Sequence, residues 1–187
     1  MSVPFPILSS RCTAAAILLA LAACSPRYDW RELHGVDAPY SVAMPARPDS
    51  FSRGIDLNGV HVSMTMTAAE VGKATFAVGS AELPTAPQAQ ASLDAMKNAL
   101  VRNIRGTIRQ EKTLTIAQSR RADGGRVAVI EVVAIGPGDR ASEGRPRALF
   151  ARFVAKDKRV FQVVATGPED TLQRETVDTF FSSFRLD

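Results

Sequence analysis

Cysteine and histidine are nearly missing from this chain, with two of each in 187 residues, and both cysteines fall at Cys12 and Cys24. No thiol follows Cys24, so most of the chain can form neither a disulfide nor a cysteine metal site, and thiol catalysis is excluded there. His34 and His61 lie in different contexts, and neither has a local set of partners for base or metal chemistry. The sequence holds no Gly-rich phosphate loop and no metal-spaced His/Asp/Glu cluster, and Gly79-Ser80 lacks the G-x-S-x-G frame of an esterase elbow. These gaps predict a non-enzymatic protein with no cofactor and no metal. Long apolar runs are scarce too. The one near the N-terminus is shorter than the roughly 20 residues a spanning helix needs, and charged residues interrupt every apolar stretch after Cys24.

That N-terminal run is itself informative. Arg11 supplies a positive n-region, Cys12 to Ala20 an apolar h-region, and Leu21-Ala22-Ala23-Cys24 resembles a bacterial lipobox. The resemblance implies cleavage before Cys24 after acylation of its sulfur, leaving 1–23 as a signal peptide and 24–39 as a lipidated tether. Several acyl chains anchor durably where a single chain binds reversibly. The expected partner at this end is therefore a membrane. Ser25 after the acylated cysteine, in place of Asp, implies an outer-membrane position facing the periplasm. Arg11 is the only charge before Cys24, so processing would lower the +4 net charge of the full sequence by one. The basic balance, with a pI near 9.4, suits anionic headgroups or envelope polymers. The export signal argues against nucleic acid as a partner. A solvated surface with a slight excess of Arg is the plainer account.

Residues 25–39 are polar and aperiodic, with Tyr28 and Trp30 placed either to sit at a bilayer interface or to dock on the domain. A single domain over 40–187 follows. Tyr40 to Met44 reads as a strand. Ile55-Asp56-Leu57 and Val60-His61-Val62 flank Asn58-Gly59, the pair favoured in a two-residue type I′ hairpin. Val60, Val62, Met64 and Met66 then alternate with His61, Ser63, Thr65 and Thr67, which predicts one buried and one polar strand face. Ala74 to Glu82 reads as another strand.

Ala89, Leu93, Met96, Leu100 and Ile104 share one helical face, with Pro87 in the first turn and Gly106 placed as a C-terminal cap. Strands follow over 107–119, over Arg126 to Ile135, which is nearly all apolar and predicted central, and in a hairpin about 156–159. Gly167-Pro168-Glu169-Asp170 predicts the start of a closing helix that buries Val177, Phe180, Phe181 and Phe184. The expected fold class is α+β, a central antiparallel sheet of about six to eight strands flanked by helices.

Two segments resemble PsbP-like domains: Tyr40 to Pro48, as an opening strand and Pro-rich turn, and Phe150 to Val164 with Val177 to Leu186, as a closing hairpin and helix. That resemblance implies an α/β/α sandwich used for binding and assembly, and it brings no catalytic residue set with it. The expected function is a membrane-anchored envelope lipoprotein that binds an envelope protein or polymer. The alternative is a carrier of a small apolar ligand or lipid in a helix–sheet pocket.

Four groups of residues remain as candidate sites. Asp56 and His61 should face each other across the hairpin, where an exposed ion pair is the ordinary account. Glu131 and Arg152 each interrupt an apolar strand, so they should pair across the sheet or face a groove. Met64 and Met66 belong to the apolar strand face before they suggest a copper site. The 136–146 loop, rich in Gly, Pro and charge, is predicted to be mobile, and Arg140, Arg145 and nearby Arg147 form its expected contact surface. The anchor is the most direct of these expectations to check. Replacing Cys24 with Ser should move the protein from the membrane pellet to the soluble or unprocessed fraction, and unchanged fractionation would remove the anchor.

Overall fold

The computed structural model describes residues 27–35, 37–117, 125–138, 140 and 142–187. Cys24, the signal segment and the first part of the tether lie outside them. No helix among the described residues is long and apolar enough to cross a membrane.

Ten strands and three short helices follow in order among the described residues: β1 (Arg31–His34), β2 (Tyr40–Met44), β3 (Asp49–Leu57), β4 (Val60–Val71), β5 (Ala74–Glu82), α1 (Ala86–Ala91), α2 (Leu93–Asn103), β6 (Thr107–Ala117), β7 (Arg126–Gly136), β8 (Arg147–Lys156), β9 (Arg159–Pro168), α3 (Arg174–Ser183) and β10 (Arg185–Leu186). The large sheet has seven strands in the order β3-β4-β5-β9-β8-β7-β6, all antiparallel. It consists of two meanders, β3–β5 and β6–β9, that meet where β5 pairs with β9. Asn58 and Gly59 take φ of 52° and 81°, the left-handed pair that a type I′ turn needs, and the hairpin registers Leu57 with Val60.

Strand alternation divides the core in two. On one face Phe76, Val78, Phe161, Val163 and Ala165 pack under α3 and β2. On the other Ala81, Ala151, Phe153, Val160 and Val164 pack under Leu93 and Met96 of α2. Phe180 and Val177 of α3 are fully buried, with Phe180 edge-on to Phe76 at 5.4 Å.

The fold class expected from sequence is corrected here. The described residues are 55% strand and 18% helix, with a second sheet and few helical segments, so the chain is mainly β and not a helix-flanked α+β sandwich. A three-stranded sheet, β1-β2-β10, occupies part of the face where a helical layer was expected. Two of its strands come from segments too short to show alternation: four residues inside the expected tether and two at 185–186. The tether assignment therefore ends too late. Residues 31–34 pair with 41–44, and Tyr28 donates from its hydroxyl to Gln173 at 3.4 Å.

The long helix expected over 87–104 is broken at Ser92, which is fully buried and donates from its hydroxyl to the Ala89 carbonyl at 2.8 Å. Such back-bonding competes with the helical ladder and bends it. The left-handed residue after α2 is Arg105 (φ 49°), one position before the glycine expected there. The closing helix begins at Arg174, because Gly167 and Pro168 continue β9 opposite Ala148 and Arg147. β7 lies second from an edge rather than centrally, and it is apolar because both its faces are covered.

This packing sets a contrast between two helices. Phe180→Ala should cost about 3–5 kcal/mol, the range for emptying a buried aromatic site, and Arg102→Ala on exposed α2 should stay within about 0.5 kcal/mol. Chemical denaturation of both variants measures the difference.

Candidate functional site

Short side chains at the β3–β4 end of the large sheet leave a gap beside the small sheet. Ser50 pairs with Thr67 and Ser52 with Thr65 in the β3–β4 register, and Thr65 lies opposite Ser80 of β5. All five lie on the α3 side of the sheet, where Phe76 and Val78 continue the same row. The hydroxyls of Ser50 and Thr67, and of Ser52 and Thr65, are each 2.8 Å apart, so the array is fixed by hydrogen bonds of its own. Tyr40 of β2 and Asp37 close the other wall, and the groove holds about 310 Å³. Burial pushes the Tyr40 phenol up from its ordinary value of 10, against a smaller pull from the Thr67 hydroxyl, so it stays a neutral donor. The groove therefore offers donors and acceptors of neutral hydroxyls, with Asp37 and the apolar Phe51 also in its lining.

A second cleft, also about 310 Å³, opens beyond Pro39 and is lined by Glu82, Lys156, Lys158, Arg159 and Phe161. Arg159 donates to the Asp37 carbonyl at 2.9 Å and pairs with Glu82. This holds the 37–40 segment as a wall between the two clefts. The cleft between α2 and the sheet, lined by Leu57, Met64, Met96 and Leu100 among others, is only about 110 Å³.

Glu131 and Arg152 come together. They face each other in the β7–β8 register, with Arg152 Nε donating to Glu131 at 2.7 Å and Lys112 of β6 completing the row at 2.9 Å. The Arg152 guanidinium also donates to the Phe181 carbonyl at 2.9 Å and lies 4.6 Å from the Phe181 ring centroid. The row ties α3 to the sheet through Phe181. Burial would raise the Glu131 pKa, but hydrogen bonds from Lys112 and Arg152 outweigh it and hold the carboxyl below its ordinary value of 4.5.

The three loop arginines differ in exposure and partners. Arg140 is exposed, Arg147 starts β8 half-buried, and Arg145 donates to both carboxylate oxygens of Asp170 at 3.1 Å and to the Ser142 carbonyl at 3.2 Å. Glu143 pairs with Lys73, and its pKa is lowered by that contact. The loop expected to be mobile is braced at the β4–β5 turn and at the turn before α3, because its charges of both signs meet opposite charges on those neighbours.

Asp56 Oδ2 lies 3.5 Å from His61 Nδ1 as an exposed pair, and no group of three or more potential ligands gathers a metal site among the described residues. Met64 is core, and Gln162 Nε2 donates to Met66 Sδ at 3.3 Å. The hydroxyl groove was missed in the sequence. Its one signal is the Thr65/Thr67 alternation, which reads as an ordinary solvent-facing strand when the covering sheet is unknown.

No known family matches the chain, and no curated protein is detectably similar to it.

Depression of the Glu131 pKa sets a pH window. Its stabilising contribution is complete above about pH 4.5, the ordinary value, and is lost as pH falls through the lower folded-state value. Glu131→Gln should cost about 1–3 kcal/mol at pH 7 by weakening a buried charged hydrogen bond. That deficit should shrink as pH falls below about 4, and denaturant titration at pH 7, 5 and 3.5 checks both statements.

Proposed function

We propose that this protein is a membrane-anchored envelope lipoprotein, held by acylated Cys24 at the outer membrane facing the periplasm. Its domain then serves as a non-enzymatic module that binds an envelope polymer. The observation that carries this reading is the hydroxyl-lined groove of about 310 Å³ on a rigid sheet face. Ordered hydroxyls from four elements suit a polyhydroxylated chain, which offers the same donors and acceptors in return. The lipobox supplies the compartment in which such polymers are found, and the resemblance to PsbP-like segments supports a binding role. The carrier alternative has less support, because a cleft of about 110 Å³ between α2 and the sheet falls below the roughly 300–1,000 Å³ of most ligand sites.

Co-sedimentation of the full chain with purified cell-wall polymer tests the reading. Thr65→Val with Ser80→Ala removes two hydroxyls and should weaken binding about tenfold, the effect of losing about two hydrogen bonds. Arg140→Glu should leave it unchanged. Loss of binding with Arg140→Glu alone would move the contact to the loop, and no binding by the unmodified protein would remove the polymer reading.

A further inference from the structure

The two edges of the large sheet are built differently. β6 carries Arg109, Glu111 and Lys112, is interrupted by an irregularity between Ile108 and Gln110, and lies against β10. Charges and bulges of this kind blunt an edge against further pairing. β3 carries charges too, at Asp49, Arg53 and Asp56, but no bulge. Its nine residues pair with β4 without a register shift, its first six are exposed, and it holds neither proline nor lysine. Phe51 near its middle is 54% exposed, and Phe51 and Trp30 are the large apolar residues left outside among the described residues. A long regular edge with an exposed aromatic is a template for another strand.

We infer that two copies of the chain pair β3 with β3, antiparallel about Phe51, to form one continuous sheet. Edge groups bond only when facing residues both point outward, so the facing positions must share parity. Charge then selects the register. Pairing about Phe51 sets Phe51 against its copy, Ser50 against Ser52, and Asp49 against Arg53 twice. No other register allowed by that parity opposes Asp49 or Asp56 to Arg53. Pairing about Arg53 would instead oppose two guanidinium groups. Asp49, Phe51 and Arg53 lie on one face, opposite Ala68, Met66 and Met64, so aromatic contact and both ion pairs form side by side. Neither Asp49 nor Arg53 is engaged by another side chain of its own copy among the described residues.

The twofold axis of such a pair stands perpendicular to the sheet. Both copies then present α1 and α2 on one side and β1 on the other, so both N-terminal segments leave on the same side. That arrangement is compatible with two anchors in one membrane, a point that rests on the proposed function, whereas the pairing itself does not.

Sedimentation equilibrium of the full chain, in detergent excess sufficient to separate anchors, tests the pairing. The unmodified protein should form a dimer. Asp49→Arg or Arg53→Asp alone opposes like charges at both sites and should weaken the dimer by about tenfold or more. The double exchange D49R/R53D should restore it to within about threefold. Circular dichroism melting of each variant separates lost pairing from lost folding, and these exposed changes should leave melting nearly unmoved. A monomer at every concentration, a dimer indifferent to the single substitutions, or a double exchange that fails to recover would each overturn the proposal. Polymer binding can fail or succeed without bearing on it.

Discussion

Eight residue pairs from Thr75↔Thr166 to Glu82↔Arg159 join β5 to β9, and they turn two separate meanders into one sheet. Every other pairing in the large sheet links strands that are neighbours in sequence. Both cores depend on this seam. Phe76 and Val78 of β5 lie beside Phe161 and Val163 of β9 on one face, and Ala81 lies beside Val160 on the other. At several seam positions a small residue faces a bulky one, as Ala165 faces Phe76 and Ser80 faces Phe161. A Cβ at Gly79 would stand 2.6 Å from Met66 Sδ and 2.8 Å from the Gln162 side chain, so the missing side chain makes room there for those two long side chains of β4 and β9.

The covering layers are fixed by different means on the two faces. Apolar contact through Ala89, Leu93 and Met96 holds the α1–α2 segment, and Asn58 adds a hydrogen bond from the hairpin turn to the Ala91 carbonyl at 2.9 Å. On the other face α3 is held by Phe180 and Phe181 and by the Lys112–Glu131–Arg152 row beneath it. Burying that row is worthwhile only because each charge is answered, with Arg152 bonded to both a carboxylate and a main-chain carbonyl. The hydroxyl groove is what remains on the α3 face, at the β3–β4 end beside Asp37 and Tyr40.

Local features were the legible ones. Asn58-Gly59 specifies its turn by backbone geometry alone, the apolar run of β7 follows from two covered faces, and the Phe180/Phe181 spacing places one side of α3 inward. Three features had no local signal. The β5–β9 seam joins residues far apart in sequence, and no turn marks it. β1 and β10 are too short for periodicity to emerge, so the small sheet and the true start of the domain were hidden. That missing sheet led to the helix-flanked fold class. The candidate site suffered for the same reason, since the hydroxyls of β3 and β4 become a groove only when Tyr40 and Asp37 stand over them. Glu131 and Arg152 were visible as interruptions of apolar strands, whereas the partners of Arg145 and Glu143 lie in distant turns.

β2 is sandwiched between β1 and β10, and Asp187 donates its amide to the Pro39 carbonyl at 3.0 Å, so segments about 140 positions apart share one small sheet. Leu186 is wholly buried there beneath Tyr40 and its neighbours. During synthesis the layer beside the groove must therefore wait until residue 186 has emerged, even though its first strands appear at the outset. Until then β2 has a free edge and Tyr40, Val42 and Met44 have no complete cover. A nascent chain in that state would hold an unpaired strand edge and uncovered apolar side chains together.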